Sequence, residues 1–335
     1  MNQLNNAIAE QYRGVRALVL GASGFIGRWV ARMLDQVGAQ TFLAVRDQLT
    51  SNGLFSRYDI HGEIIEIDLV ESESLRQAIN DVRPSIVFNL AGYGVDRTER
   101  DEETAYLING RLSETICESI SLYTQPGWRG RRLVHVGSAL EYGLATGNLD
   151  ETTEPIPTTL YGRSKLAGTR AVTVLSEREG IQAVTARLFT VYGPGEHAGR
   201  LLPALIETAS TRRPLALTDG LQLRDFTYVE DVAEGLLRLG LTSGLPGQVV
   251  NLATGQLTPV SQFIDSAAQI LGIPPGSLLI GALPKRAEEM NHDPVIIERL
   301  KKMTNWMPET SIQDGIRNTM AFLTLQNSCS QQENA

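Results

Sequence analysis

VRALVLGASGFIG, Val15 to Gly27, decides the fold. The apolar run VRALVL breaks into GASGFIG at Gly21 to Gly27 and continues with helical spacing through Trp29, Val30 and Leu34. A buried strand, a glycine turn and a helix N-terminus in that order make a ready site for a pyrophosphate, because the first N–H groups of the helix and its dipole point at the turn. Gly21 allows the tight turn, Gly24 lets the backbone approach the phosphates, and Gly27 lets helix and strand pack closely. Ser23, Phe25 and Ile26 fall in the same turn and count with it as dinucleotide contacts. An ordinary strand-to-helix connection can carry the same glycines, so the fingerprint needs support from the rest of the chain.

TFLAV (41–45), EIIEI (63–67), SIVFNL (85–90), RLVHVG (132–137) and AVTARLF (183–189) read as short buried strands, separated by helical stretches that include Ser72 to Val82 and Asp101 to Leu122. That alternation predicts an α/β, Rossmann-like fold with a doubly wound parallel sheet. After the sixth strand the chain grows richer in glycine and proline, in YGPGEHAGR, GIPPGS and GALPKRAEE, the composition of loops that shape a pocket beside a rigid sheet. The expected organisation is a dinucleotide-binding domain over 13–188, with 223–254 returning to it, and a smaller mixed α/β C-terminal substrate lobe over 189–222 and 255–327. The active cleft is expected between them.

The chain has 335 residues, 42% hydrophobic and 20% charged, enough for a sizeable core. A formal charge of −8 gives no basic field for nucleic acid or an anionic membrane, so any anion site must be local. The polar start MNQLNNAIAEQYRG and the lack of any run of about 18 apolar residues predict a cytoplasmic protein without membrane or nucleic-acid partners. Cys117 and Cys329 make neither a disulfide framework nor a metal-ligand spacing, and no metal is expected. His61 is isolated, His197 and His292 fall in loops without metal-ligand spacing, and His135, between Val134 and Val136, reads as a structural strand histidine.

The second strand ends in Ala44, Val45 and Arg46, where NAD binders place an acidic residue to hold the ribose hydroxyls. An arginine there suits a 2′-phosphate, so NADP(H) is favoured; NAD is the alternative, with Asp47 holding the ribose one residue later. Asp68 and Leu69 after the third strand are expected to border the adenine, and Leu90, Ala91 and Gly92 after the fourth to line the dinucleotide; each also suits strand-end packing.

Tyr161 and Lys165, in TTLYGRSKLAG, lie four apart on one face of a helix. A tyrosine normally keeps its proton until a pKa near ~10. A neighbouring ammonium and the positive charge of an oxidised nicotinamide are expected to lower that value toward neutrality. Tyr161 then passes a proton to or from a substrate oxygen while hydride moves at the carbon. Ser138 follows the fifth strand at its carboxyl end, and its hydroxyl can hold the same oxygen.

These segments, together with NLAG (89–92), Asn109, GSALEYG (137–143), YGRSK (161–165), RLFTVYGPGE (187–196), RDFTYVEDVAEG (224–235) and NWMPETSIQDGI (305–316), resemble the extended branch of the short-chain dehydrogenase/reductase superfamily over nearly the whole chain, and within it the enzymes that modify nucleotide sugars. The resemblance implies that Ser138, Tyr161 and Lys165 form a catalytic triad and adds Asn109 and Leu188 to the cofactor contacts. It makes Arg224 the residue that grips the diphosphate of a nucleoside-diphosphate sugar, with Arg200 and Arg286 as further candidates and Thr190 beside that phosphate. Arg224 could instead form an ion pair with Asp225 or Asp231. A homodimer through helices near 101–122 and 158–178 is also implied.

Sugar-nucleotide 4,6-dehydratases of this branch carry an acidic pair, or one glutamate, just after the active-site serine or threonine, where this chain has Ala139 and Leu140. Without those carboxylates the elimination lacks its usual acid and base. Glu141 sits where many relatives have an apolar residue; alternation along an extended segment turns it away from Leu140, toward a substrate hydroxyl or a local hydrogen bond. Gly137 replaces a common serine, and Thr190 stands where many members have asparagine. The reading that follows is an NADPH-dependent reductase of a nucleotide-linked 4-keto-6-deoxy sugar, with hydride from the nicotinamide and a proton from Tyr161. The alternatives are a 4-epimerase with tightly bound NAD(P), a reductase of a non-nucleotide ketone or aldehyde, and a catalytically silent regulator.

Overall fold

Apolar runs of four to six residues cannot make stable helices alone, but side by side they bury both faces of a sheet. The computed structural model describes residues 3–95, 98–123, 126–284 and 290–332. Its first six strands are β1 (Arg16–Leu20), β2 (Gln40–Val45), β3 (Glu63–Glu66), β4 (Ile86–Asn89), β5 (Leu133–Ser138) and β6 (Ala183–Leu188). Each boundary stands within one residue of the sequence expectation. Shorter strands follow: β7 (Thr190–Tyr192), β8 (Leu215–Ala216), β9 (Leu223–Arg224), β10 (Phe226–Tyr228), β11 (Gln248–Leu252), β12 (Thr258–Pro259) and β13 (Leu278–Leu279). One parallel sheet of seven strands runs in the order β11-β6-β5-β4-β1-β2-β3, and β7 with β10, β9 with β12 and β8 with β13 form two-stranded ribbons. The order reverses between β1 and β4, so their carboxyl ends open a crevice at the switch point of the sheet.

The helices are α1 (Gln3–Tyr12), α2 (Phe25–Gln36), α3 (Gln48–Arg57), α4 (Ser72–Val82), α5 (Glu102–Tyr106), α6 (Leu112–Ser121), α7 (Leu160–Glu179), α8 (Leu201–Thr211), α9 (Val229–Leu241), α10 (Val260–Leu271), α11 (Glu298–Thr304) and α12 (Ile312–Gln332). Alternation along the strands sends Val19, Val134 and Val184 to one face with Val30, Leu34 and Leu236 of α2 and α9. It sends Leu18, Val87 and Leu133 to the other, with Ile79, Ile116 and Val172 of α4, α6 and α7. Each such side chain contributes about 1.5–3 kcal/mol by leaving water. Among the described residues no helix is long and apolar enough to cross a membrane.

One expected helix is interrupted. Residues 101–122 form α5, a π-helical turn over Leu107–Arg111, and α6. The wider turn carries Asn109 and Gly110 into buried positions against α7, which comes so close that a Cβ on Gly168 would stand 2.1 Å from the Asn109 carbonyl oxygen. Such bulges commonly aim a side chain at a site.

The close approach in the opening stretch is tighter still: a Cβ on Gly27 would lie 2.0 Å from the Gly21 oxygen, backbone against backbone. Gly27→Ala is expected to cost about 1–3 kcal/mol in urea unfolding. Gly24→Ala, whose Cβ would meet the same oxygen at 3.1 Å, should cost less.

Candidate active site

Gly21, at φ 75°, turns the chain out of β1, and a Cβ there would stand 2.9 Å from the Ala91 nitrogen. The glycine turn and the Leu90, Ala91, Gly92 segment after β4 therefore meet at the switch point. Gly24 is the N-cap of α2 and offers no side-chain cap, so the first N–H groups of the helix are left for an anion. A turn with these close approaches and uncapped donors fits the pyrophosphate of a dinucleotide. The loop after β7 is latched to the same helix: Trp29 Nε1 donates to the Pro194 oxygen at 2.9 Å and Arg28 Nη2 to the Gly195 oxygen at 2.7 Å.

At the end of β2, Arg46 is exposed and makes no ion pair among the described residues. Asp47 is otherwise engaged: it is the N-cap of α3, its Oδ1 accepting from the Thr50 nitrogen at 3.1 Å, and these bonds hold its carboxyl below the usual value. Asp68 is exposed after β3, with Oδ1 accepting from the Val70 nitrogen at 2.9 Å, and Leu69 beside it is half-buried. Leu188 is buried at the end of β6.

Ser138 ends β5 and is the N-cap of a 3-10 turn over Ala139–Glu141; its Oγ accepts from the Leu140 nitrogen at 3.2 Å, which leaves the hydroxyl hydrogen to donate elsewhere. Tyr161 and Lys165 sit in the first turns of α7, which starts at Thr159, a cap whose Oγ1 accepts from the Gly162 nitrogen at 3.0 Å. The helix presses on the serine's turn, since a Cβ on Gly162 would stand 2.3 Å from the Leu140 oxygen. Asn109 lies behind this corner rather than facing it. Its Nδ2 donates to the Tyr93 oxygen at 2.8 Å and to Ser164 Oγ at 2.9 Å, and Ser164 Oγ donates to the Tyr161 oxygen at 3.1 Å. Asn109 thereby ties the loop after β4 to the turn of α7 that carries Tyr161 and Lys165.

Burial pushes the Lys165 ammonium down to about 8, with Glu141 acting in the opposite sense. Tyr161, partly open to the cleft, is pushed up to about 12, first by burial of its phenol and then by Glu141, while Arg200 pulls the other way. The expected lowering toward neutrality involved the charge of an oxidised nicotinamide as well as the ammonium; the protein's own groups act in the opposite sense. Desolvation penalises the phenolate, and the groups that act on it include two carboxylates, Glu141 and Glu99. Tyr161 keeps its proton at neutral pH, as a general acid must.

Of the arginines expected at the diphosphate, Arg200 caps α8 and lies near enough to act on Tyr161, its Nε 3.5 Å from Glu196. Arg224 Nη1 donates to the Leu223 oxygen at 2.9 Å. Neither offered acidic partner pairs with it among the described residues. Asp225 accepts from Thr227, Thr254 and Gly255, and Asp231 from Glu309 and Thr310. Thr190 donates its N–H to the Asp225 oxygen at 3.0 Å, which sets it beside the arginine's strand. Arg286 lies outside the described residues.

Glu141 corrects an expectation. Its segment is a 3-10 turn, not an extended strand, so the side chain folds back and is fully buried. Oε1 accepts from the Ser138 nitrogen at 2.8 Å and from Thr169 Oγ1 at 3.0 Å, and Oε2 lies 2.8 Å from Arg187 Nε. These oxygens are turned into the protein, not toward a substrate. The sequence carried the signal, because Ser138-Ala-Leu-Glu141 is a capping box. Two further residues were missed: Arg187, a charge inside the apolar strand AVTARL that demands a partner, and Glu196, whose carboxyl burial holds up at about 7. His135 is buried with Nδ1 3.0 Å from Asn89 Nδ2, and burial together with Lys165 holds it well below its ordinary pKa.

The model of the NAD dependent epimerase/dehydratase family matches residues 17–253. An uncharacterized UDP-glucose epimerase of Bacillus subtilis (strain 168) is 30% identical over 330 residues, covering 92% of this chain and 98% of that protein. The dTDP-6-deoxy-L-talose 4-dehydrogenase (NAD(P)(+)) of Kitasatospora kifunensis is 26% identical, covering 90% and 93%. In structure, the UDP-glucuronic acid 4-epimerase of Bacillus cereus in complex with UDP-glucuronic acid and NAD matches with a TM-score of 0.79 at 22% identity over 92% of this chain and 99% of that one, a likeness of fold.

Tyr161→Phe is expected to lower turnover about 10²–10⁴-fold while dinucleotide affinity, read by fluorescence titration, stays nearly unchanged. Turnover in the reducing direction should hold through neutral pH and fall as pH rises past about 8, where Lys165 loses its proton. A stopped pH series at saturating substrate checks this.

Proposed function

The chain belongs to the NAD-dependent epimerase/dehydratase family, and within it we propose an NADPH-dependent reductase of a nucleotide-linked 4-keto-6-deoxy sugar. The observation that carries this reading is the end of β2. Asp47 caps α3 and Arg46 beside it is exposed with no ion pair among the described residues, an arrangement that supports a 2′-phosphate on the adenosine ribose. A phosphate there gains a charged partner, whereas a bare ribose finds no carboxylate engaged for it.

When bound, the dinucleotide supplies a hydride to the carbonyl carbon. Tyr161 gives its proton to the carbonyl oxygen, and the ketone becomes an alcohol. The Ser138 hydroxyl donates a hydrogen bond to that oxygen, and the Lys165 ammonium steadies the phenolate that Tyr161 leaves behind. Arg200 and Arg224 take the diphosphate. Dehydration is disfavoured: Ala139 and Leu140 carry no acid or base, and the next carboxylate, Glu141, is buried against Arg187. The similarity to a dTDP-6-deoxy-L-talose 4-dehydrogenase supports oxidoreduction at a sugar carbon. A homodimer through α6 and α7 suits their exposed faces, which present Glu114 and Glu118 on one and Arg163, Arg170 and Val174 on the other.

A 4-epimerase is the second reading, favoured by the 30% identity to a UDP-glucose epimerase. Such an enzyme returns the hydride to the same sugar and needs no external reductant.

The test is NADPH consumption by the purified protein offered a panel of 4-keto-6-deoxy sugar nucleotides, with NADH and product analysis alongside. Stoichiometric NADPH loss with one keto sugar is expected. Conversion of an intact hydroxyl sugar to its epimer without net loss would replace this reading with the epimerase. Arg46→Ala should weaken NADPH binding about ten- to a hundredfold, the worth of a charged hydrogen bond at about 1.5–3 kcal/mol, with NADH little affected.

A further inference from the structure

We propose that Glu141, fixed by Arg187 and admitted by Gly137, is a positioning residue: the buried counter-charge of the Lys165 ammonium and the anchor of Ser138. The proposal rests on the reading that Tyr161 and Lys165 move the proton.

The ground beneath α7 is polar where the rest of that sheet face is apolar. Asn89, His135 and Thr185 are register neighbours across β4, β5 and β6. Two residues on, Gly137 pairs with Arg187. Side chains two apart share a face of a strand, so these residues line one patch, and Lys165 acts on it through His135. Over it run Tyr161, Lys165 and Thr169, a stripe at four-residue spacing along α7. Glu141 fills the gap between, bonded to Thr169 at one end of the stripe and to Arg187 on the sheet.

Charge makes the arrangement obligatory. Lys165 and Arg187 are both nearly fully buried, and among the described residues the carboxylate enclosed with them is Glu141. A buried cation stripped of its partner is strongly destabilising, and here one carboxylate serves two cations. Arg187 is further held with its guanidinium carbon 4.5 Å from the centre of the Tyr142 ring, whose hydroxyl lies 2.8 Å from Asn251 Oδ1.

Gly137 completes the unit. A Cβ there would stand 2.5 Å from Glu141 Oε1, 3.1 Å from Thr185 Cγ2 and 3.3 Å from Arg187 Cγ. The missing serine at 137 and the unexpected acid at 141 are therefore one substitution in physical terms: the carboxylate occupies the room a side chain would take.

The charged and titratable groups around the site all have assigned senses. Lys165 faces Glu141, which favours its ammonium, and His135, which burial and Lys165 keep neutral. Tyr161 faces Glu141 and Glu99, which favour its protonated form, and Arg200, which opposes them. Glu141 faces Arg187, Tyr142, Thr169 and the Ser138 N–H. Removing the carboxylate charge must loosen the proton on Lys165 and on Tyr161 together.

The chain has four lysines, at 165, 285, 301 and 302, so the Lys165 ammonium can be followed in the full-length protein by its 13Cε NMR signal, assigned through its loss in Lys165→Met. Glu141→Gln keeps an acceptor for the Ser138 N–H and removes the charge. It is expected to lower the Lys165 midpoint by about one pH unit or more from about 8, and to move the alkaline limb of NADPH-dependent reduction by the same amount. Because Glu141→Gln leaves Arg187 unpaired and can unfold the chain, the same charge removal is also read as the difference between Arg187→Met alone and Arg187→Met with Glu141→Gln, which differ only in the carboxylate charge. Thr169→Val removes a hydrogen bond without removing charge and should leave the midpoint in place. A midpoint unmoved in the folded charge-removing variant overturns the proposal. A midpoint that moves in a protein that reduces no keto sugar leaves this assignment standing and removes the ketoreductase reading instead.

Discussion

Exclusion of water beneath α7 is the constraint on which the rest of the structure depends. A helix bearing a tyrosine and a lysine lies flat on the carboxyl ends of β4, β5 and β6, with Gly162 allowing contact with the serine's turn. Packing that close leaves polar groups no solvent, so the charges present are paired or held neutral, while the Asn89 Oδ1, His135 Nε2, Thr185 Oγ1 and Arg187 Nη1 atoms are left without a hydrogen-bond partner among the described residues. Arg187 has Glu141, Asn109 has Tyr93 and Ser164, and His135 is held neutral. The same dryness tunes the chemistry. It weakens the hold of Lys165 on its proton and strengthens that of Tyr161, so two groups of nearly equal proton affinity in water are drawn apart, the lysine downward and the tyrosine upward.

Much of this was legible in the chain. The strands announced themselves because buried parallel strands are short apolar runs, and the glycine turn because backbone contacts at 2.0 Å tolerate no side chain. What escaped did so for identifiable reasons. The π-helical turn at Leu107–Arg111 adds no hydrophobic signature of its own, since it answers to α7, far along the chain. Glu141 was assigned an extended backbone because periodicity was read through it, although Ser138 and Glu141 stand at capping-box spacing; local hydrogen bonding overrode the period. Arg187 was passed over inside a strand, where a lone charge is the strongest sign of a distant partner. The upward pull of burial, Glu141 and Glu99 on the tyrosine had no signature in the chain, since it comes from packing and from residues distant in sequence.

Substrate chemistry in this family turns on which groups reach the sugar. The serine's turn carries Ala139 and Leu140 where a carboxylate could have stood, and its one carboxylate, Glu141, is buried behind it. The carboxylates left near the cleft are Glu99, whose side chain takes the Gly94 N–H at 2.7 Å, and Glu196, with Arg200 beside it.

The latch between α2 and the Pro194–Gly195 segment ties together two sites usually treated apart. The N-terminus of α2 is uncapped by any side chain, and the latched loop leads within a few residues to Arg200 at the head of α8. Were anions to bind at both places, any coupling carried by this latch would be equal in the two directions by thermodynamic reciprocity, and it would need no moving domain.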